Sequence, residues 1–301
     1  MSNRSKAAEV VELILRRTRV KEEYANEEIL KRVLMAKRVA PELELPLGKR
    51  RFVHEITLDW WEGIRIVHVC LDEKKATALF LHGGAYIHTL NAGHLLYLDE
   101  LAHRAGLEIF APLYPLAPKH TCEETFAFLP DFWEHLLEEH GSALLMGDSA
   151  GGGLAVSLCQ YLHEEKKKLP QALVLYSPWL DVSLSDPDCE QYQDSDPVLD
   201  IQGLRTCGKI WAGKYGMQDA RVSPIFGRTD YLPPVLMFCG TKELFYPQIS
   251  KFSERLVAEG VECTLILGED LFHDYAMYPV PEGKETIETV RKWMESHSLT
   301  E

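Results

Sequence analysis

Short apolar runs recur along the chain and alternate with longer segments whose apolar residues have helical spacing. Apolar runs of this length, bounded by Gly, Pro and charged residues, predict buried strands. The predicted strands are 64–70, 76–82, 107–114, 142–148, 171–179, 234–240 and 262–268. Segments with helical period occupy 95–106, 126–141, 153–170 and 249–260. Strands that alternate with helices predict an α/β fold, in which a mostly parallel central sheet is flanked by helices on both faces.

Two regions do not follow this alternation. Residues 1 to about 50 are charged and helix-forming, and residues from about 181 to 230 make an unusually long connection rich in Asp, Ser, Pro and aromatic side chains. Such excursions are candidates for a lid, and surface decoration is the alternative. We predict a single domain over 1–301, with a helical cap made of both regions.

Composition and charge narrow the choice of partners. The formal net charge is -14, so the phosphates of nucleic acids and of anionic membranes would be repelled. No apolar stretch is long enough to span a bilayer, and the N-terminal residues lack the apolar centre of a signal peptide. We therefore expect no nucleic acid and no membrane as partners. The sequence leaves the oligomeric state open, with a homodimer as one candidate.

The cysteines indicate the compartment. There are 7 of them, scattered and without a C-x-x-C pair, which is typical of reduced thiols in a cytosol. Cys159 and Cys239 lie in apolar runs, so we predict that they are core residues. The pattern predicts a cytoplasmic protein with no disulfide framework and no metal site.

The stretch "GDSAGGG" at 147–153 lies between a predicted strand and a predicted helix. Gly147 and Gly151 flank Ser149 in the pattern G-x-S-x-G, which places a serine on a tight strand-to-helix turn. A serine hydroxyl is a poor nucleophile without an adjacent base and an anion-stabilising pocket. The turn exposes Ser149 to a base and places the Ala150 N–H beside the reacting carbonyl. We therefore predict that Ser149 is a nucleophile.

A second glycine-rich stretch, "HGGAY" at 82–86, follows another predicted strand. The N–H groups of Gly83 and Gly84 can point into the same pocket and, with that of Ala150, form an oxyanion hole. Tyr86, beside this loop, is predicted to line the substrate pocket. A phosphate-binding loop is the alternative, but neither stretch has the spacing of a P-loop or of a dinucleotide-binding motif.

A base and an acid are expected later in the chain, in the order Ser, acid, His. His273 follows the last predicted strand, and Glu243 follows the strand before it, so both lie at the sheet edge where ligands bind. Glu269, Asp270 and Asp274 are alternative acids, but residues so close to His273 cannot easily turn back to its Nδ1. We predict a triad of Ser149, His273 and Glu243.

Together these motifs resemble the hormone-sensitive-lipase-like esterases of the α/β-hydrolase superfamily from about residue 60 onward. The matching stretches are "HGGAY", "YPLAPKH" (114–120), "GDSAGGG", "SPWLDVS" (177–183), "SDPVLD" (195–200), "LPPVLMFCGTKEL" (232–244) and "FHDYAMYP". The chain departs from the family pattern with HGGA for HGGG, YPLAP for YRLAP, Glu243 for aspartate and HDY for HGF.

The resemblance implies an α/β-hydrolase fold with a cap and a serine carboxylesterase that needs no cofactor. The expected substrate is a small-molecule ester with a short, acetyl-type acyl group, cleaved through an acyl-enzyme. The same groups would also serve an amide hydrolase such as an arylformamidase or a peptidase, so that reading stays open. A binding protein without activity is a third reading, which the complete set of nucleophile, base and oxyanion donors disfavours.

Overall fold

The computed structural model describes residues 4–39, 56–71 and 73–300. Part of the predicted N-terminal cap region, from residue 40 to about 50, therefore lies outside the described residues. Within the described ranges, none of the helices combines the length and the apolar character that a membrane crossing requires. All 7 cysteines are described and are free thiols. Cys159 and Cys239 are fully buried, which confirms that they are core residues.

In the described part of the chain, a sheet of eight strands forms the centre of the molecule. The strands are β1 (Ile56–Trp61), β2 (Ile64–Val69), β3 (Ala76–Leu81), β4 (Leu107–Pro112), β5 (Leu144–Asp148), β6 (Leu173–Tyr176), β7 (Val235–Gly240) and β8 (Cys263–Gly268). Their order across the sheet is β1-β2-β4-β3-β5-β6-β7-β8. β2 is antiparallel to both β1 and β4, and all other neighbours are parallel. The predicted, mostly parallel sheet is confirmed.

Helices cover both faces of this sheet. They are α1 (Lys6–Thr18), α2 (Glu22–Ala25), α3 (Glu27–Val39), α4 (Ala92–Ala105), α5 (Cys122–His140), α6 (Ser149–Glu164), α7 (Ile201–Ala212), α8 (Tyr246–Ala258) and α9 (Pro281–Ser296). One apolar cluster joins the sheet to α5, α6 and α8, and a second joins the opposite face to α4 and α9. Side chains of a strand alternate between the faces, so a strand covered on both sides is apolar throughout.

The hydrophobic pattern did not predict β1 or α9, and it gave no bounds for α7 within the helical cap. β1 lies at the sheet edge, and its side chains are half-buried or exposed, so it lacks the continuous apolar run that identified the other strands. α7 lies within the long connection 181–230. α9 is amphipathic, with many charged residues on its outer face, so its helical spacing of apolar residues is less evident in the sequence.

The N-terminal helices and the long connection pack against each other. α2 contacts α7, and a Cβ added to Gly203 would lie 2.3 Å from the backbone oxygen of Tyr24. The Lys21 ammonium donates to the backbone oxygen of Asp196 at 3.1 Å. The two regions predicted to form a cap are therefore in contact, and their action as a cap stays a prediction.

Candidate active site

Ser149 stands where β5 ends and α6 begins. β5 ends at Asp148, α6 starts at Ser149, and Ser149 has a backbone φ of 49°. A non-glycine residue in this left-handed region is uncommon, and such strain concentrates at functional sites. The tight strand-to-helix turn predicted from the sequence is thus present.

Gly151 lets this turn lie against the neighbouring strand. An added Cβ there would lie 1.9 Å from the backbone oxygen of Leu81 at the end of β3. No real Cβ tolerates such a distance from a backbone atom, so either the turn or β3 would have to move. The glycine is required by the close approach of the two strand ends.

Replacing Gly151 by alanine is expected to destabilise the fold by at least about 2 kcal/mol, since overpacking a rigid backbone contact costs about 1–3 kcal/mol. Urea unfolding measures this. Gly152→Ala is the matched control, because its Cβ would meet its nearest neighbours, the Pro178 Cβ at 2.9 Å and the Gly147 backbone oxygen at 3.2 Å, at much longer distances than the 1.9 Å at Gly151. Equal stability of the two variants would contradict this reading of the turn.

His273 faces Ser149 from the loop that follows β8. Its Nε2 lies 3.0 Å from the Ser149 Oγ, which is hydrogen-bond distance. The imidazole is 4% exposed as a side chain, and its ring lies edge-on to Phe245. The predicted nucleophile and the predicted base, 124 residues apart, are brought into direct contact.

Glu243 approaches the other nitrogen of the same imidazole. Its Oε1 lies 3.8 Å from the His273 Nδ1, an ion-pair distance that exceeds a hydrogen bond. Its Oε2 accepts from the Ser177 hydroxyl at 2.6 Å and from the Gly240 N–H at 3.1 Å. Among the described residues, neither Oε1 nor Nδ1 has a hydrogen-bond partner. Glu243 is therefore held in place with one oxygen available to the histidine.

Two of the alternative acids, Asp270 and Asp274, make contacts other than one with the His273 Nδ1. Asp270 takes part in the loop through its backbone, because its N–H donates to the Thr241 hydroxyl at 2.9 Å and its carbonyl oxygen accepts from Arg4 at 2.8 Å. Asp274 contacts the imidazole, but at Nε2, where its Oδ2 lies 3.0 Å away. Of the acids considered from the sequence, Glu243 is the one found near Nδ1.

Burial and charge act in opposite directions on His273. Burial lowers the pKa of this imidazole, but the carboxylates of Asp274 and Glu243 outweigh it and hold the pKa well above its ordinary value. The site therefore favours the imidazolium before substrate binds.

The two glycines of the 82–86 loop differ in their contacts. The Gly83 N–H donates to the Asp148 Oδ1 at 2.8 Å, and a Cβ on Gly83 would lie 2.2 Å from the other oxygen of that carboxylate. The predicted oxyanion role of Gly83 is thus not supported, because its N–H already has an acceptor. Gly84 and Ala85 line the cavity, and no hydrogen bond from their N–H groups is found within the described residues. Ala150 lies in the first turn of α6, where N–H groups have no helical acceptor.

His94 was not predicted as a site residue, and it lies beside the nucleophile. Its Nε2 lies 3.2 Å from the Asp148 Oδ2, and its Nδ1 accepts from the Asn91 N–H at 3.2 Å. Burial lowers the pKa of His94, but the Asp148 carboxylate has the larger effect, so the pKa lies above its ordinary value. His94 thereby completes the cap of α4 with Asn91. The contact with Asp148 carries no sequence signal, since the two residues are 54 positions apart.

His82 braces its own loop. Its Nδ1 lies 2.8 Å from the Gly83 carbonyl oxygen, and its ring stacks on Tyr114 at 4.4 Å. Burial lowers the pKa of His82 to about 4, so the imidazole is neutral.

A cavity of about 730 Å³ opens onto Ser149 and His273. Its walls come from α4 and α9, from the loop around Asp274 and from residues of the two cap regions, Tyr24, Val198 and Leu199. Tyr86 is not among the residues that line it. This side chain is 1% exposed and stacks on Trp211, with ring centroids 4.2 Å apart. The predicted substrate contact by Tyr86 is therefore wrong, because its side chain packs in the core against Trp211 instead of facing the cavity.

Comparisons with known proteins agree with this architecture. The sequence profile of a family described by the alpha/beta hydrolase fold matches residues 78–277. An esterase of Acinetobacter venetianus is 29% identical over 249 residues, which cover 78% of this chain and 82% of the relative. An acetyl-hydrolase of Streptomyces hygroscopicus is 28% identical over 251 residues, which cover 82% of this chain and 82% of the relative.

A solved structure shows the same fold. The crystal structure of a hormone-sensitive lipase from a metagenome library superposes with a TM-score of 0.81 at 23% identity, over 96% of this chain and 98% of that one. The matches confirm the predicted fold and the resemblance to hormone-sensitive-lipase-like esterases, and they agree with the predicted class of carboxylic ester hydrolase. With two thirds of its length matched by the family profile, the chain belongs to the alpha/beta hydrolase family.

Proposed function

We propose that the protein is a serine carboxylesterase that hydrolyses short-chain acyl esters through an acyl-enzyme. The observation that carries the proposal is the contact between the Ser149 Oγ and the His273 Nε2 at 3.0 Å, at the end of a cavity of about 730 Å³. A nucleophile and a base within hydrogen-bond distance, facing a cavity, are what acyl transfer requires.

In the acylation step, Ser149 attacks the ester carbonyl while His273 takes the hydroxyl proton at Nε2. Glu243 orients the ring from the Nδ1 side and stabilises the imidazolium that forms. The distance of 3.8 Å between Oε1 and Nδ1 shortens as charge develops on the ring, since hydrogen bonds of empty sites tighten in the complex. His273 then protonates the departing alcohol.

The tetrahedral oxyanion is held by backbone N–H groups. We assign this role to Gly84, Ala85 and Ala150, with Gly83 serving instead to fix the loop to Asp148. The φ values of 115° at Gly84 and 52° at Ala85 twist the loop sharply at this point. A single oxyanion donor of this kind contributes about two to three orders of magnitude to the rate.

Deacylation repeats the cycle with water as the nucleophile. His273 takes a proton from water, the second tetrahedral intermediate collapses, and the acid leaves while Ser149 recovers its proton. Every step uses groups of this chain and water.

The preference for short acyl chains is supported by the acetyl-hydrolase among the relatives. We expect p-nitrophenyl esters with about two to six acyl carbons to have a kcat/KM at least about 100-fold above that of the palmitate ester, as for an enzyme adapted to acetyl-type substrates. Steady-state kinetics over the ester series measures this. A preference for emulsified triolein would contradict it.

An assay of three substrates separates the ester hydrolase from its alternatives. p-Nitrophenyl acetate, N-formylkynurenine and a peptide anilide test for an esterase, an arylformamidase and a peptidase, respectively. The proposal requires the highest kcat/KM on the ester. A higher value on either amide would move the assignment to an amide hydrolase, and no turnover of any of them would favour a binding protein.

The cytoplasmic location and the homodimer stay predictions.

A further inference from the structure

The reactive nitrogen of His273 has a second partner. The Asp274 Oδ2 lies 3.0 Å from the same Nε2 that lies 3.0 Å from the Ser149 Oγ. The contact is set by the backbone, because Asp274 has a left-handed φ of 56° and its N–H donates to the Ser177 hydroxyl at 3.1 Å. Ser177 in turn donates to Glu243. Asp274 is thereby tied to the same hydrogen-bonded group as the proposed triad acid.

The two contacts of Nε2 demand different protonation states. The contact with Asp274 is an ion pair between a carboxylate and the ring, and it favours the imidazolium, which carries an N–H at Nε2. A nitrogen that carries a proton has no lone pair for the proton of Ser149. His273 therefore cannot act as a base while the ion pair with Asp274 keeps the ring protonated.

We infer that Asp274 is an autoinhibitory carboxylate of the resting site, which the ester must displace from the His273 Nε2 before Ser149 can be deprotonated. The inference rests on the proposed function of Ser149 and His273. Asp274 therefore sets the pH at which the enzyme becomes active, in addition to lining the pocket.

The position of Asp274 permits this displacement. The residue lines the cavity, its side chain is 17% exposed, and its Oδ1 has no hydrogen-bond partner among the described residues. One oxygen holds the imidazole, and no contact of the other would have to be broken. A substrate that enters the cavity competes directly for the space beside Nε2.

The charges around the contact determine the sign of its pH dependence. Burial raises the pKa of Asp274, and the neighbouring imidazolium opposes this shift. The carboxylates of Asp274 and Glu243 raise the pKa of His273, so the base is free only at higher pH. The other titratable groups that act on these two side chains are Asp148, His94, Asp196, Cys239 and Tyr278. Removal of the Asp274 charge should therefore move the activity towards lower pH.

The test is the pH profile of kcat/KM on p-nitrophenyl acetate for the full chain and for Asp274→Gly. Glycine adopts a φ of 56° without strain, so the loop should be kept. In Asp274→Gly, we expect the midpoint of the ascending limb of the kcat/KM profile to fall by at least about one pH unit. At one pH unit below the wild-type midpoint, kcat/KM should therefore rise about fivefold. Asp270→Gly is the matched control, because Asp270 lies in the same loop with a φ of 59° and should leave the midpoint unchanged.

A measurement without turnover complements the kinetics. In the Ser149→Ala background, the NMR titration of the His273 ring should move to lower pH on Asp274→Asn, which keeps the volume and removes the charge. An unchanged midpoint in the kinetics and in the NMR titration overturns the inference, and so does a loss of activity with an unmoved midpoint. If Ser149→Ala kept full turnover, the proposed function would fail instead, which distinguishes the two.

Discussion

Ser149→Ala is expected to abolish ester hydrolysis, with a loss in kcat of at least about a thousandfold. The change removes the only atom that can form the acyl-enzyme in the proposed mechanism, and it removes little volume. The backbone φ of 49° is equally strained for alanine and serine, so the stability should hardly change. Turnover of p-nitrophenyl acetate measures the loss, and circular dichroism with thermal unfolding checks the fold.

Ser157→Ala is a matched control for this result. Ser157 is also a buried serine of α6, but its hydroxyl donates to the backbone oxygen of Ala220 at 2.8 Å, away from the cavity. Its loss should cost about 1 kcal/mol of stability and leave the turnover intact. Activity that survives Ser149→Ala would refute the nucleophile assignment.

Glu243→Gln is expected to lower the rate by about two to four orders of magnitude, as the loss of a triad acid does generally. Oε2 of Glu243 accepts from Ser177 and Gly240, so the glutamine would place its carbonyl oxygen there and turn its NH₂ group towards Nδ1. A donor at Nδ1 selects the tautomer with the proton on Nε2, which cannot take the proton of Ser149. KM should change little, and steady-state kinetics separates KM from kcat.

Glu269→Gln and Asp270→Asn are the controls for the acid, and each should cost less than about tenfold. Asp270 holds the loop by its backbone groups, which the substitution leaves in place. If one of these two variants were the severe one and Glu243→Gln stayed near wild-type activity, the acid assignment would be wrong. The nucleophile and the base could still stand.

The fold was predictable because strands covered on both faces are apolar at every position. β5 and β7 are fully buried along their whole length, and their runs of apolar residues are unmistakable in the sequence. β1 was not predictable in this way, since an edge strand leaves side chains such as Trp60 in solvent, where polar and apolar residues mix freely.

The candidate site was predictable where backbone geometry restricts the residue types. No residue other than glycine fits at position 151, because the backbone of Leu81 is too close. The glycine pattern around Ser149 therefore indicates the turn. The partners of the second glycine-rich loop were harder to assign. Nothing in "HGGAY" distinguishes an N–H that faces the cavity from one bound to a carboxylate, and the contact of Gly83 with Asp148 decided this.

The sequence by itself determined the fold class and the turn that carries Ser149, because these depend on local periodicity and on backbone conformations that few residues adopt. Only the tertiary structure decided which side chains meet. It buried Tyr86 against Trp211, joined His94 to Asp148 and placed Asp274 on the reactive nitrogen of His273. The contacts of Tyr86 and His94 depend on how segments from different strand ends converge over the sheet, and such distances leave no periodic signal in the chain. The Asp274 contact depends on the left-handed φ of 56° at that residue, which periodicity does not report either.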